Sequence, residues 1–270
     1  MTALANQLAR PAGFRIGTIL RSSDVTARMR RVTIGVPDLR DFDCPPAALG
    51  PHVHLLLPRQ DLAEQAWPVA DEAGRAVYPP PETRPILRTY SVRDFHYGQG
   101  SIDVDIVLHG DGGHGSRWAM RAAPGEEVGL WRPHARILDH APSRYLFAGD
   151  ETALPAIAFI LARLPQDAVG TALIEVRDES DHQVLDRPPG IRLRWLHRGE
   201  ALPGTTTHLI DAVREEGMAP ADFVWVGAEA AAARAIRRFA RADRRLPAEQ
   251  AYILNYWKRG VVEGEFDHGE

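Results

Sequence analysis

The sequence predicts a β-barrel followed by an α/β domain on a parallel sheet, and three observations carry that expectation. From Phe14 to about Trp131, short runs of β-branched and aromatic residues are punctuated by Asp, Pro and Gly, with one short helical pattern among them. Past Asp139, strand-like and helix-like runs alternate, as they do when parallel strands are joined by crossover helices. Between the two, the polar, proline-containing LDHAPS near residues 137–143 marks a join, so domains of 1–139 and 140–270 are expected.

The elements follow in order. FRIGTILRSSDVT, MRRVTIGV and HVHLLL read as strands of an antiparallel barrel. Residues 58–85, polar and rich in proline, read as a long surface loop able to cover a site. RTYSVR, Arg88 to Arg93, is the next strand, followed by the turn HYGQG. In SIDVDIVLH, Ile102, Val104 and Ile106 alternate with Asp103 and Asp105. SRWAMRAA is a short helix stopped at Pro124-Gly125, and EEVGLWR a further strand. In the second half RYLFAGD is a buried strand running into a helix over ALPAIAFILARL. TALIEVRD and IRLRWLHR are strands, and HLIDAVREEG is a helix with a glycine stop. DFVWVGA is a strand, residues 229–245 an alanine-rich helix, and AYILNYW the last strand.

Composition narrows the functional classes. With 270 residues, 44% hydrophobic and 25% charged, the chain has mass for a sizeable core and is neither disordered nor fibrous. A net charge of −4 points away from nucleic acid and anionic membranes. Cys44 is the only cysteine, which excludes an internal disulfide, a cysteine-ligated zinc site and a protein-held iron–sulfur cluster. It fits a reducing, cytoplasmic setting. The opening MTALANQLARPAG lacks the apolar run of a signal peptide, and no stretch reaches membrane-spanning length, so no membrane insertion is expected.

Four stretches hold residue types suited to a phosphate-bearing planar ligand. In RTYSVR, strand alternation sends Arg88, Tyr90 and Val92 to one face and Thr89, Ser91 and Arg93 to the other. Guanidinium forks bind phosphate, a phenol offers a stacking plane, and a hydroxyl can reach a ring heteroatom. An edge strand with solvated arginines is the plain alternative. HGDGGHGS, His109 to Ser116, formally matches a dinucleotide fingerprint at Gly110, Gly112 and Gly115. Its helix is too short, however, and no acid ends a second strand about 20 residues on. A phosphate loop in which glycines admit the ligand and Ser116 donates remains open beside an ordinary tight turn. AGDETALP, with Thr152 placed to cap a helix, and VWVGAEA each put a glycine at a strand end, where open α/β sheets bind nucleotides. Either could equally be a capped helix and nothing more. NYWKRG sets Tyr256 and Trp257 beside Lys258 and Arg259, as core closure or as an aromatic surface with cations nearby. His52 and His54 share a strand face, yet no metal-binding histidine spacing occurs, so no metal site is expected. No serine nucleophile motif stands out.

These motifs together resemble the siderophore-interacting protein family of flavin-dependent ferric-siderophore reductases, a branch of the ferredoxin–NADP reductase-like fold. RTYSVR, VLHGDGGHGSRWA, YLFAGDETALPAI and FVWVGAEAAAARAIRRF…YILNYWKRG carry the resemblance in order, over nearly the whole chain. It implies an FAD-binding barrel and a pyridine-nucleotide-type α/β domain. Arg88, Thr89, Tyr90 and Ser91 would hold the flavin, Asp105, Ile106, Val107, Leu108 and His109 would line it, and Gly115, Ser116 and Arg117 would take its pyrophosphate. Asp150, Glu151 and Thr152 would lie on the nicotinamide side, with Tyr256 and Trp257 covering flavin or adenine. His54, Lys258 and Arg259 would face the substrate, a ferric siderophore. Two departures stand out: His54 replaces a lysine frequent in the family, and His114-Gly115 replaces Pro-Ala. The implied activity passes electrons from NADPH or NADH through FAD to chelated Fe(III), releasing Fe(II). Ferredoxin as donor stays open, as do a siderophore or flavin carrier without turnover and a flavin reductase serving a protein partner. EVRDESD places acids where a ribose could bind, while Arg177, Arg187 and Arg192 would favour a 2′-phosphate.

Overall fold

A computed structural model describes residues 9–42, 44–45, 47–109, 113–263 and 266. Contacts divide the chain into two compact units. One is Met1–Val25, Met29–Cys44 and Pro51–Ala135; the other is Thr26–Arg28, Pro45–Gly50 and Arg136–Glu270.

The first unit is a closed barrel of six antiparallel strands. Its strands are β1 (Phe14–Thr26), β2 (Met29–Gly35), β3 (Ala48–Leu57), β6 (Ile86–His96), β7 (Ser101–Val107) and β8 (Glu127–Trp131). The order is β6-β7-β2-β1-β8-β3, and a pairing of β6 with β3 closes the ring. A seventh strand, β9 (His134–Ile137), adds to β3. The expected alternation holds: Val32 faces Val104 and Ile34 faces Ile102 across β2 and β7, and all four are fully buried. Strand β6 is longer than RTYSVR. It pairs with β3 from Ile86 to Ser91 and with β7 from Val92, and a bulge follows between Val92 and Asp94. Among the described residues this unit has one α-helix, α1 (His114–Arg121), and residues 110–112 fall outside the described set.

The segment 58–85 is less free than a plain loop. It forms a small hairpin of β4 (Val69–Ala70) and β5 (Ala76–Val77). Its Trp67 is buried against Phe14 and Leu56, with the indole N–H donating to Glu127 Oε2 at 3.3 Å. The apolar ring anchors an otherwise polar stretch, because burying an indole removes a large area from water.

The second unit is a parallel five-stranded sheet in the order β12-β11-β10-β13-β14. These are β10 (Arg144–Asp150), β11 (Gly170–Val176), β12 (Ile191–His197), β13 (Asp222–Glu229) and β14 (Ala251–Trp257). The helices are α2 (Leu154–Leu161), α3 (His208–Glu216) and α4 (Ala230–Arg238), the last continued by a π turn over Phe239–Asp243. All eight residues of α2 are buried, as its uniformly apolar sequence requires. Strand order reverses at β10, so a crevice opens where β10 and β13 end, as it does in nucleotide-binding sheets. Gly50, at φ +64°, belongs to this unit; a β-carbon there would press on Ala156 and Trp225 at 3.0 and 3.2 Å. No helix among the described residues is long and apolar enough to cross a membrane.

One local expectation is corrected. Thr152 does not cap α2: the cap position is Ala153, with no side-chain bond to the helix. Thr152 instead donates both its N–H (3.0 Å) and its hydroxyl (2.5 Å) to Asp150 Oδ1. The nearby carboxylate is the stronger acceptor and claims the hydroxyl.

Candidate functional site

The barrel unit gathers most of the residues expected at the flavin. On β6, Thr89 pairs in register with His54 and Ser91 with His52, and His54 Nδ1 lies 2.8 Å from Thr89 Oγ1. Arg88 and Tyr90 occupy the alternate positions, opposite Leu55 and Val53. The phenol of Tyr90 reaches α1: a methyl at Gly115 would collide with its hydroxyl. Only a residue without a β-carbon lets the helix start and this ring come so close as they stand.

Strand β7 leads through Val107 and Leu108 to His109, whose backbone N–H donates to Ser116 Oγ at 3.3 Å. A β-carbon at Gly113 would strike the His109 ring, so both ends of the loop are held by glycine contacts. Helix α1 begins after Gly113 without a side-chain cap, leaving its first N–H groups for another acceptor. Arg117 donates to His114 Nδ1 at 3.1 Å. Burial lowers the His114 pKa below its ordinary value, and the charges of Arg117, Arg88 and Arg59 lower it further. Both effects favour the neutral imidazole, the form that can accept from Arg117. Beside it lies a cavity of ≈ 250 Å³ lined by Arg59, His114, Arg117, Trp118, Ile86 and others. Arginines, free helix N–H groups and a glycine-cleared approach suit the pyrophosphate of FAD.

Asp105 behaves differently from the other residues expected to line the flavin. Its carboxylate accepts from Arg31 Nε at 2.6 Å and Nη2 at 2.8 Å, and its side chain is 1% exposed. That hydrogen bond, against the pull of burial, raises the Arg31 pKa. The neighbouring Asp103 accepts from Thr33 Oγ1 at 2.6 Å and lies 2.9 Å from His96 Nε2. Ile106 is buried in the barrel core. The Asp105 side chain is thus committed within the barrel wall.

In the α/β unit, Asp150 is a buried hub at the end of β10. Besides Thr152, it accepts from Glu229 N at 3.0 Å and from Trp257 Nε1 at 2.8 Å. Its pKa is raised by burial, against these hydrogen bonds. Glu229 caps α4 through Ala231 N and also accepts from Arg259 N at 3.2 Å, which ties the end of β14 to the same point. Glu151 receives a bidentate pair from Arg198 at 2.9 and 2.5 Å. Burial first and then Asp150 push its pKa up to about 7, against the attraction of Arg198. Trp257 is therefore oriented by a carboxylate. Tyr256 lies edge-on to Trp225, ring centroids 5.9 Å apart, and packs over Gly227. Lys258 and Arg259 are exposed beyond β14.

Sequence reasoning missed Glu229, Arg198 and Arg59. A glutamate directly before an alanine-rich run was a readable capping signal for Glu229; Arg198 and Arg59 carried none. The arginines weighed for a 2′-phosphate separate. Arg177 sits just past the end of β11 and binds Glu200 at 2.6–2.7 Å. Arg187 donates to the carbonyls of Leu185 and Ile191. Arg192 is the second residue of β12, at the opposite end of the sheet from Asp150, where it binds Glu216. Of the three, only Arg177 lies at the carboxyl-terminal edge of the sheet that also carries Asp150.

Comparison with known proteins agrees with this layout. Residues 18–137 match the siderophore-interacting FAD-binding domain model, and residues 142–260 match the siderophore-interacting protein model. Ferric vibriobactin reductase ViuB of Vibrio cholerae is 30% identical over 252 residues, 92% of this chain and 91% of that protein. An NADPH-dependent ferric-chelate reductase of Escherichia coli is 28% identical over 250 residues, 90% and 92% of the two chains. The crystal structure of a siderophore utilization protein from T. fusca superposes with a TM-score of 0.82 at 35% identity, covering 94% and 95%. The barrel followed by a five-stranded parallel sheet is the ferredoxin-reductase-like architecture expected from the sequence. With both family models matched in order along the chain, it belongs to the siderophore-interacting protein family.

Proposed function

We propose that the chain is an FAD-dependent ferric-siderophore reductase that takes electrons from NADPH or NADH and releases iron from a ferric chelate as Fe(II). The observation that carries the reading is the cradle at the start of α1. Gly115 lets Tyr90 meet the helix, and Arg88 and Arg117 supply positive charge beside a cavity of ≈ 250 Å³, where Arg59 is paired with Asp61 at 2.6 Å. Residues 1–139 form the FAD-binding domain and 140–270 the electron-donor domain, a division the two family models support.

FAD, when bound, supplies the exchange of a hydride for single electrons. The residues of the chain bind and orient. Arg117 and the first N–H groups of α1 hold the pyrophosphate, with Ser116 keeping the His109 backbone in place. Tyr90 offers its ring and Ser91 its hydroxyl. Asp150 fixes Trp257, and Lys258 and Arg259 attract a negatively charged chelate. One NADPH and two ferric chelates yield NADP⁺, a proton, two Fe(II) and the freed ligands. The weaker hold of the ligand on Fe(II) drives release.

The test is a spectrum followed by an anaerobic assay. Purified protein should show flavin absorption that bleaches with NADPH or NADH, and a ferric chelate added next should restore it while a ferrous trap gains colour. Protein that stays colourless when incubated with FAD refutes the reading. A flavin that bleaches but is not reoxidised by any ferric chelate refutes the substrate assignment. Reduced ferredoxin, tried in place of the nucleotide, tests that donor in the same cuvette.

A further inference from the structure

Strands β11 and β12 are joined by residues 177–190, which form a short 3-10 turn, Glu179–Asp181, and no α-helix. A crossover without a helix has few backbone hydrogen bonds of its own, so side chains must hold it. Arg28 does so at one point, with Asp178 at 2.8 Å and Asp181 at 2.7 Å. A second tie lies just past the turn. His182 Nε2 stands 2.7 Å from Nε2 of His197, the last residue of β12. The His182 ring is stacked on Trp195, with centroids 4.5 Å apart and an interplanar angle of 16°. All of these residues belong to the second unit.

Two ring nitrogens at that distance share one proton, one imidazole donating and the other accepting. Burial first, and then His197, lower the His182 pKa, against the carboxylates of Glu179, Asp181 and Asp178. Those acids set a local potential that favours a cation. His182 is half-buried and His197 exposed, so ions in solution reach the pair. Neutral imidazoles that converge on one point are ligands for late first-row divalent metals. Bonds of about 2.0–2.1 Å at a near-tetrahedral angle put two nitrogens about 3.3 Å apart, so the rings need open by only about 0.6 Å. Among the described residues no third histidine, cysteine or carboxylate completes the set, which leaves the other positions to water. The two residues are 15 apart in sequence, a spacing that announces no metal motif.

We propose that His182 and His197 form a two-imidazole site for a late first-row divalent cation such as Zn²⁺, which pins the crossover to the end of β12. The ion takes the place of the shared proton. The ring that carried this proton at Nε2 becomes the Nδ1–H tautomer, so each Nε2 offers a lone pair and no proton leaves the protein. An ion held only by the folded chain stabilises it by mass action, and here it closes a loop that lacks a helix of its own. The inference stands independently of the reductase reading.

The experiment uses the full chain, stripped of metal with a chelator and then titrated with zinc chloride by calorimetry. His182→Gln and His197→Gln should each raise Kd about tenfold or more, since either leaves a single imidazole. Zinc at about 100 times Kd should raise the native Tm by roughly 5–10 °C, and this rise should vanish in both variants. A second readout needs no histidine variant. Copper(II) bound at His182 should quench Trp195, so native emission should fall by a fraction that Trp195→Phe lacks and that a chelator restores. Zinc affinity unchanged in both histidine variants would place the ion elsewhere and overturn the inference. So would a native protein whose Tm zinc leaves unmoved, or copper quenching that is the same in Trp195→Phe; the pair would then be a hydrogen bond and nothing more.

Discussion

Replacing Asp105 with Asn separates two roles that one residue could have, lining a cofactor or bracing the wall behind it. The native carboxylate is 1% exposed and takes two hydrogen bonds from Arg31, whose side chain is 25% exposed. Removing one partner of a fully buried ion pair costs about 3–5 kcal/mol, because the other charge is left unanswered. Here the guanidinium reaches water and has Asp103 at 3.8 Å as a weaker partner, which lowers the expectation to about 2–3 kcal/mol. In a chain of this size each kcal/mol moves Tm by about 2–4 °C, so Asp105→Asn should melt roughly 4–12 °C lower. The assay is urea and thermal unfolding of the FAD-free protein, paired with an FAD titration. Kd for FAD should change less than about threefold, since an Asn leaves the main chain of β7 in place. The double variant Arg31→Met/Asp105→Leu should recover most of the lost stability, because paired apolar groups avoid the desolvation cost. A stability loss below about 0.5 kcal/mol, or a lost FAD affinity at native stability, would refute the bracing role.

Two further outcomes are expected. The Glu151 pKa of about 7 lies above its unfolded value of 4.5, so the folded chain holds this proton while the unfolded chain releases it. Its contribution to stability therefore falls as pH rises from 4.5 to 7 and is flat above that, by at most about 3 kcal/mol. Glu151→Gln, which mimics the protonated form, should gain on the native protein as pH rises from 4.5 to about 7, read as the difference in Tm between pH 5.5 and 8.5; a constant difference would show that Glu151 is charged throughout. Gly115→Ala adds a methyl where the Tyr90 hydroxyl now lies. The helix gains about 1 kcal/mol of propensity, so the chain should fold, but the displaced phenol should raise Kd for FAD about tenfold. An unchanged Kd in a fluorescence-quenching titration would show that the ring can swing aside without consequence.

The strands were legible because period-two alternation is local: SIDVDIVLH shows its core face in the order of its own letters. The parallel sheet was legible for a similar reason, since alternating elements of these lengths admit few arrangements. Partners distant in sequence left no such trace. Arg31 and Asp105 meet only because β2 and β7 pair in one register, and nothing near either residue announces the other. The bulge after Val92 was likewise invisible, because it depends on where β6 passes from β3 to β7. Thr152 was misread for a competitive reason: capping was chemically available, but Asp150 two residues earlier offered a charged acceptor. The placement of Arg192 could have been read from strand length alone, since the second residue of a seven-residue strand stands roughly 17 Å from its far end.

The seam of the ring has a consequence for how the protein matures. Strand β6 changes neighbour between Ser91 and Val92, so Arg88, Tyr90 and Ser91 take up their positions only when His52–Leu57 has found Ile86–Ser91. With those residues holding the coenzyme as proposed, loading would wait for closure. Once loaded, the coenzyme favours the closed ring by mass action.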